Sequence, residues 1–295
     1  MSTPQINALI NLIEDPDPAI YNQVKSEIVA MGEEVIPDLE RYWELHDYGQ
    51  LFQERLESLI HSIQYDSVTR RIEMWRDDEQ NDLLEGAILV NKFHNPSLDE
   101  AEVRRMVARI RQDVWLELND SLTAMEIVNI FNHILYNVHG FEGNKNNYTA
   151  PGNSFIGEVL ETRKGNPLSL ALLYRVLAES LDIPIYGVNL PNHFILAYVD
   201  ESAIHPLDDE QGEHGVLFYI NPFTGGTMIH RNEIDEFLNY LNLPQQVRFY
   251  RPCANRDIIG RMVDNLAYAY AQIGKQEKVD DLKMLQGILR IGTQG

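Results

Sequence analysis

The sequence predicts an α+β fold, with a core helix packed on an antiparallel sheet and helical regions on either side in the chain. Three observations lead there. Apolar residues repeat at spacings of three and four from Ile6 to Asn137 and again from Asn255 onward, as amphipathic helices require. Between Ile185 and His230 the pattern changes to short β-rich runs separated by turn residues. Just before that change, Leu168, Leu170, Ala171, Leu173, Tyr174, Leu177 and Leu181 are apolar nearly all round, which suits a helix inside a core.

The elements follow in order. Ile6–Ile13, Ile20–Met31 and Val35–Leu45 read as helices, with Asp15-Pro16-Asp17-Pro18 separating the first two and Gly32 closing the second as a C′ glycine. Followed by Ile36-Pro37-Asp38-Leu39, this pattern resembles a HEAT-like helical pair. Leu51–Tyr65 and Ser67–Trp75 add two more helices, completing an N-terminal helical region over residues 1–80. A second domain is expected over residues 81–250. Its helical part, 81–139, carries apolar faces from Leu83 to Phe93, from Val103 to Ile110, and through Met125, Val128, Phe131 and Ile134 or Leu135. Residues 140–154 are rich in Gly, Asn and Pro, a loop signature, and Phe155–Glu161 is a short helix.

Asn166 then stands as N-cap, with Pro167 at N1 of the core helix. Ile185–Leu190 and His193–Val199 are strands split by Pro191-Asn192; Gly215–Ile220 and Met228–His230 are further strands, with Gly225-Gly226 a hairpin turn. The acidic stretch Glu201–Glu213 reads as an exposed loop. Residues 251–295 form a helical hairpin. Ile258, Ile259, Met262, Val263, Leu266, Tyr270 and Ile273 share one face, Gly274 makes the turn, and Val279, Leu282, Leu285 and Ile288 face inward from the second helix. Such a pair resembles one tetratricopeptide-type (TPR-like) unit.

Composition excludes several classes. With 24 basic residues against 45 acidic, a net charge of −21 disfavours nucleic acid and anionic membrane surfaces as partners. No run of 18 apolar residues is present, and Met1-Ser-Thr-Pro-Gln has neither a basic n-region nor an apolar h-region, so a cytoplasmic protein is expected. One cysteine, Cys253, excludes an internal disulfide and a cysteine-based zinc site. His193, His205, His214 and His230, with Asp208, Asp209 and Glu213 between them, match no zinc spacing, and no glycine-rich phosphate loop is present; no metal and no cofactor are expected. Trp43, Trp75 and Trp115 fall on helices and are expected to be packed.

Several motifs together carry a family resemblance. Phe141-Glu-Gly-Asn-Lys-Asn-Asn-Tyr148, Asn153-Ser-Phe-Ile-Gly-Glu-Val-Leu-Glu-Thr-Arg163 and Gly165-Asn-Pro-Leu-Ser-Leu-Ala171 resemble the SirB-type proteins of the transglutaminase-like superfamily, as do Gly187-Val-Asn-Leu-Pro-Asn-His-Phe194 and Asn221-Pro-Phe-Thr-Gly-Gly226. The resemblance covers roughly Asn81 to Ile288. It implies a transglutaminase/papain-like core and a TPR-like tail. Thiol members of the superfamily begin the core helix with cysteine, and counting back from Asp182-Ile-Pro184 sets that place at about Pro167. His193 then matches the histidine and Asn221 the acid. Asn192 stands where glycine is more usual.

A cysteine at a helix start is activated by the dipole, the free N–H groups and a nearby imidazole. Pro167 offers no nucleophile. Ser169 could take that role with His193 as base and Asn221 as orienter, using backbone N–H groups at the helix start as an oxyanion hole, or it could bond locally within the first turn. Asn144, Asn147, Asn153, Asn166, Pro167, Asn189 and Asn192 are the expected pocket residues around the helix start. Two functions follow: a non-enzymatic protein- or peptide-binding domain, or an unusual hydrolase or acyltransferase.

Overall fold

The computed structural model describes residues 3–45, 49–200 and 215–290. The chain divides into two compact units, Met1–Met74 with Lys92–Ser97, and Trp75–Asn91 with Leu98–Gly295.

The first unit is helical. It contains α1 (Thr3–Asn11), α2 (Pro18–Ala30), α3 (Ile36–Leu45) and most of α4 (Gln50–Asp77). Asp17 caps α2 by accepting the Ala19 N–H at 2.9 Å, with Pro18 at the first helical position, where its missing donor costs nothing. Gly32, at φ +72°, turns the chain after α2 in the left-handed conformation that glycine tolerates. Ile10, Ile13, Val24, Ile28, Leu39 and Leu56 are among its core residues. Arg55 donates to the Ile13 and Asp15 carbonyls at 2.6 and 2.8 Å and lies 4.3 Å above the Tyr21 ring, so one guanidinium satisfies carbonyls that follow the end of α1. The break expected near Asp66 is absent. That stretch holds no Gly or Pro, and Asp66 pairs with Arg70 one turn on, which supports a continuous helix.

The second unit takes in most of α5 (Leu83–His94), then α6 (Glu100–Glu117) and α7 (Ala124–Asn132), the last running into a π-helical turn, His133–Val138. Two-residue strands β1 (Glu142–Gly143) and β2 (Lys164–Gly165) pair in parallel around α8 (Ile156–Thr162). The core helix α9 (Pro167–Glu179) is buried at every position from Pro167 to Ala178. The main sheet has the order β3 (Ile185–Leu190), β4 (His193–Val199), β5 (Val216–Asn221) and β6 (Thr227–Ile229), all antiparallel. Its two-residue period turns Phe194, Leu196 and Tyr198 toward α9. His193, Ile195 and Ala197 lie on the opposite face, where Ile195 and Ala197 pack with Ile234 and Leu238 of α10 (Arg231–Tyr240). The sequence pattern had not indicated α10. α11 (Asn255–Gln272) packs against α9 and β3, and α12 (Gln276–Arg290) packs on α11.

Three apolar assignments are corrected. Met125 and Trp115 are 55% and 59% exposed, and Ile273 is also exposed. Each continues a spacing pattern past the point where neighbouring elements cover it. Trp75 is buried as expected: its indole donates to the Asp82 carbonyl at 2.7 Å, and a Cβ on Gly86 would come within 2.6 Å of the ring. The Trp43 side chain lies outside the described residues, as do Glu201–Glu213, His205, His214, Asp208 and Asp209.

Candidate functional site

The start of α9 is fixed by a reciprocal cap. The Asn166 side-chain oxygen accepts the Ser169 N–H at 2.9 Å, and the Ser169 hydroxyl oxygen accepts the Asn166 N–H at 3.0 Å. The same hydroxyl donates to the Asn166 carbonyl at 3.3 Å. The Asn166 amide nitrogen donates to the Ser154 hydroxyl at 2.8 Å. Ser169 is only 4% exposed, and a Cβ on Gly165 would come within 2.6 Å of its Oγ, so glycine is needed for this packing. Proline at the first position removes one N–H and the cap consumes that of Ser169. Among the described residues, only the Leu168 N–H of these first three positions is left without a partner.

The asparagines of the preceding loop bond to one another. Asn153, 4% exposed, accepts the Asn144 amide at 2.8 Å and donates to the Asn147 and Tyr148 carbonyls at 2.6 and 3.1 Å. Asn144 also accepts the Asn147 N–H at 3.2 Å. The loop is tied to the core helix by its β1–β2 ladder, Glu142 N–H to Arg163 carbonyl at 2.8 Å and Asn144 N–H to Gly165 carbonyl at 2.9 Å. Phe223, in the turn after β5, packs on Gly143 and meets Tyr148 edge-on at 5.8 Å between ring centres. The network therefore holds Tyr148, Thr149 and Ala150 as one wall of a small cleft.

That cleft, about 90 Å³, is lined by Asn166, Pro167, Leu168, Asn192 and His193, and from α11 by Arg261, Asn265 and Tyr268. Ser169 is not on its wall. Asn192 occupies the β3–β4 hairpin at φ +58°, a left-handed position that glycine fills most easily and asparagine next. His193 is partly buried, its ring 6.1 Å from that of Phe237. Burial holds its pKa below the ordinary value; a hydrogen bond with the Asn221 side chain acts the other way, and the charge of Arg261 adds to the lowering. Asn221 also accepts the Phe223 N–H at 3.2 Å, so it serves the turn and the imidazole together.

The structure thus brings His193 and Asn221 together. It gathers Asn166, Pro167 and Asn192 around the same cleft, while Asn144, Asn147 and Asn153 stand behind its wall. Among the described residues, the Ser169 hydroxyl bonds only with Asn166. Asn189 takes a different direction: its side-chain oxygen accepts from Arg261 at 2.9 Å. Cys253 does not line the cleft. Its N–H donates to the Gly187 carbonyl at 2.8 Å, and burial with the nearby Asp257 carboxylate pushes the thiol up to about 12.

The family model described as "Transglutaminase-like superfamily" matches residues 100–264. This chain belongs to the transglutaminase-like superfamily. It is 29% identical over 209 residues to a UPF0162 protein of Xylella fastidiosa, covering 68% of this chain and 69% of that one. It is 30% identical over 149 residues to a UPF0162 protein of Vibrio cholerae, covering 50% and 51%. It is also 27% identical over 228 residues to F-box only protein 21 of Mus musculus, covering 69% of this chain but 34% of that protein. No solved structure matches. The matched span contains α9, the main sheet and His193, and ends within α11, after Arg261 and before Asn265 and Tyr268. Arg261, Asn265 and Tyr268 were missed from sequence. Their spacing of four and three is helical, but only the apolar face of that helix had been read.

Among the described residues, no three His, Cys, Asp or Glu side chains converge as a metal ion would require, and no helix is long and apolar enough to cross a membrane.

Proposed function

We propose that this transglutaminase-like domain works without covalent chemistry, as a protein-binding or regulatory protein of the SirB type acting in the cytoplasm. The observation that carries this reading is the cap at the start of α9. The hydroxyl that could replace a thiol is held between the N–H and carbonyl of Asn166, and the helix opens on Pro167, at about the place where the resemblance puts the cysteine of thiol members. An oxyanion hole needs converging donors, and this helix start offers the Leu168 N–H alone in its first three positions. On this reading residues 1–80 form a HEAT-like helical region, 81–250 the transglutaminase-like domain, and 251–295 a TPR-like hairpin, with no cofactor required.

The second reading, a hydrolase or acyltransferase using Ser169, His193 and Asn221, draws support from the imidazole–amide pair and the lowered histidine pKa. Its nucleophile would have to leave the cap first. The test compares the chain with a Ser169→Ala/His193→Ala variant in affinity capture from cell extract, alongside turnover of activated acyl esters and amides. The binding reading expects both chains to retain the same partner and neither to turn over. Turnover that disappears in the variant, or capture of no partner across salt conditions, overturns it.

A further inference from the structure

A second and much larger cavity, about 960 Å³, runs along the outer side of β3. Its wall combines apolar groups, including Leu190, Pro191 and Phe249, with Arg248, Arg251 and Arg261 against one carboxylate among the described residues, Asp257. In a chain of net charge −21, three arginines facing one acid make a local reversal of sign. Arg248 and Arg251 are exposed; among the described residues neither has a carboxylate partner, Arg248 lying 5.0 Å over the Phe249 ring.

Among the described residues, the backbone edge beside them is paired only in part. β3 is an edge strand, and its Gly187 carbonyl is taken from outside the sheet by the Cys253 N–H. The N–H and C=O of one residue in an antiparallel strand point the same way, and the direction alternates along the strand. Gly187 therefore faces outward, and so does Asn189 two residues on. The Leu190–His193 pair closing the hairpin agrees with this register. Asn189 lines the cavity, so its peptide N–H and C=O present a strand edge next to the arginines.

We propose that this groove docks an acidic segment of a partner protein in extended conformation, which pairs with β3 at Asn189 and lays alternate carboxylates on Arg248 and Arg251. The proposal rests on the protein-binding reading and gives it a surface and a partner chemistry. Strand addition supplies backbone bonds, and the arginines supply selectivity by charge. An open strand edge favours peptide over a small anion, which would use the guanidinium groups and leave Asn189 unpaired.

The test uses the full chain and a fluorescein-labelled decapeptide alternating Glu with Val, read by anisotropy at about 0.15 M salt. A matched Lys/Val peptide controls for charge, and a version with proline at every Val position controls for strand pairing. Saturable binding of the Glu peptide alone is expected, with affinity falling at least about ten-fold in Arg248→Glu/Arg251→Glu. Both arginines are exposed, so an unchanged melting temperature shows that the variant is folded. Equal binding of Glu and Lys peptides, full binding of the proline peptide, or full binding by the double variant overturns the proposal. A concentration-dependent dimer lost in the variant assigns the groove to a second copy of this chain and overturns the partner segment. A cellular partner captured equally by parent and double variant overturns the groove while leaving the protein-binding reading intact.

Discussion

The cleft over α9 and the groove along β3 share Arg261 and treat their polar groups in opposite ways. At the cleft, Asn166 is bonded to Ser154 and Ser169, Asn153 behind the wall is bonded to Asn144, Asn147 and Tyr148, and the imidazole of His193 is held toward its neutral form. In the groove, Arg248 and Arg251 stand without carboxylate partners among the described residues, beside an outward-facing strand edge. Groups already paired add rigidity and have little left to offer a ligand. Unpaired cations over an apolar floor retain their capacity for a partner. The difference teaches that position in a superfamily framework does not by itself locate the binding capacity of a chain.

The sharpest way to break the comparison is to test whether the lone thiol can act. Cys253 lies on the groove wall, with its pKa up to about 12 from burial and Asp257, against an ordinary 9.0. At pH 8 its labelling by a disulfide reagent is expected to be roughly a thousand-fold slower in the native chain than in the urea-unfolded chain, following the thiolate fraction. Native labelling at the unfolded rate would mean an accessible thiol whose pKa is not raised, and a faster rate an activated one; either way the inert thiol on the groove wall would be wrong.

Next in size is the network behind the cleft. Asn153→Ala removes the partner of the Asn144 amide and one donor each to the Asn147 and Tyr148 carbonyls, the former keeping the Ala150 N–H, so a loss of about 2 kcal/mol in urea unfolding is expected. A loss below about 0.5 kcal/mol would show that the loop is held by its β1–β2 ladder and the contact of Phe223 with Gly143 instead.

Ser169→Ala should cost about 1 kcal/mol, as loss of one side of a helix cap does, and leave partner capture unchanged. The enzyme reading expects the reverse: lost turnover with little change in stability. This variant therefore separates a structural from a chemical role at one atom.

How much of this was legible depended on whether the signal was local. The cap at Asn166, Pro167 at the helix start and the buried run from Leu168 could be read because each depends on a few consecutive residues. The strands around Pro191-Asn192 were legible because a turn pair divides two β-rich runs. α10 was not, since only Ile234 and Leu238 of its ten residues are buried and two positions make a faint period. The exposure of Trp115 and Met125 was hidden because spacing shows which residues share a face and leaves open where the covering element ends. Ser169 was ambiguous for a different reason. Its hydroxyl can turn to the cap or to a cleft from the same sequence, and three-dimensional packing against Gly165 and Asn166 decides between them.

The smallest expected effect concerns His193. Its folded pKa lies below the ordinary value near 6.5, chiefly through burial, so the folded chain binds this proton less readily than the unfolded chain. Its contribution to stability is therefore full above about pH 6.5 and is lost as pH falls through the folded value. In His193→Gln, which keeps a side chain able to bond Asn221, that share of the pH dependence should vanish between about pH 7 and 5. The flattening is read from urea midpoints across that interval. An unchanged slope would move the titration elsewhere, and a histidine C2–H resonance titrating above 6.5 would reverse the sign. In that case Asn221 would outweigh burial and the ring would hold its proton more readily than a free imidazole, adding positive charge beside Arg261 as pH falls and making the cleft a rival to the groove for an acidic partner.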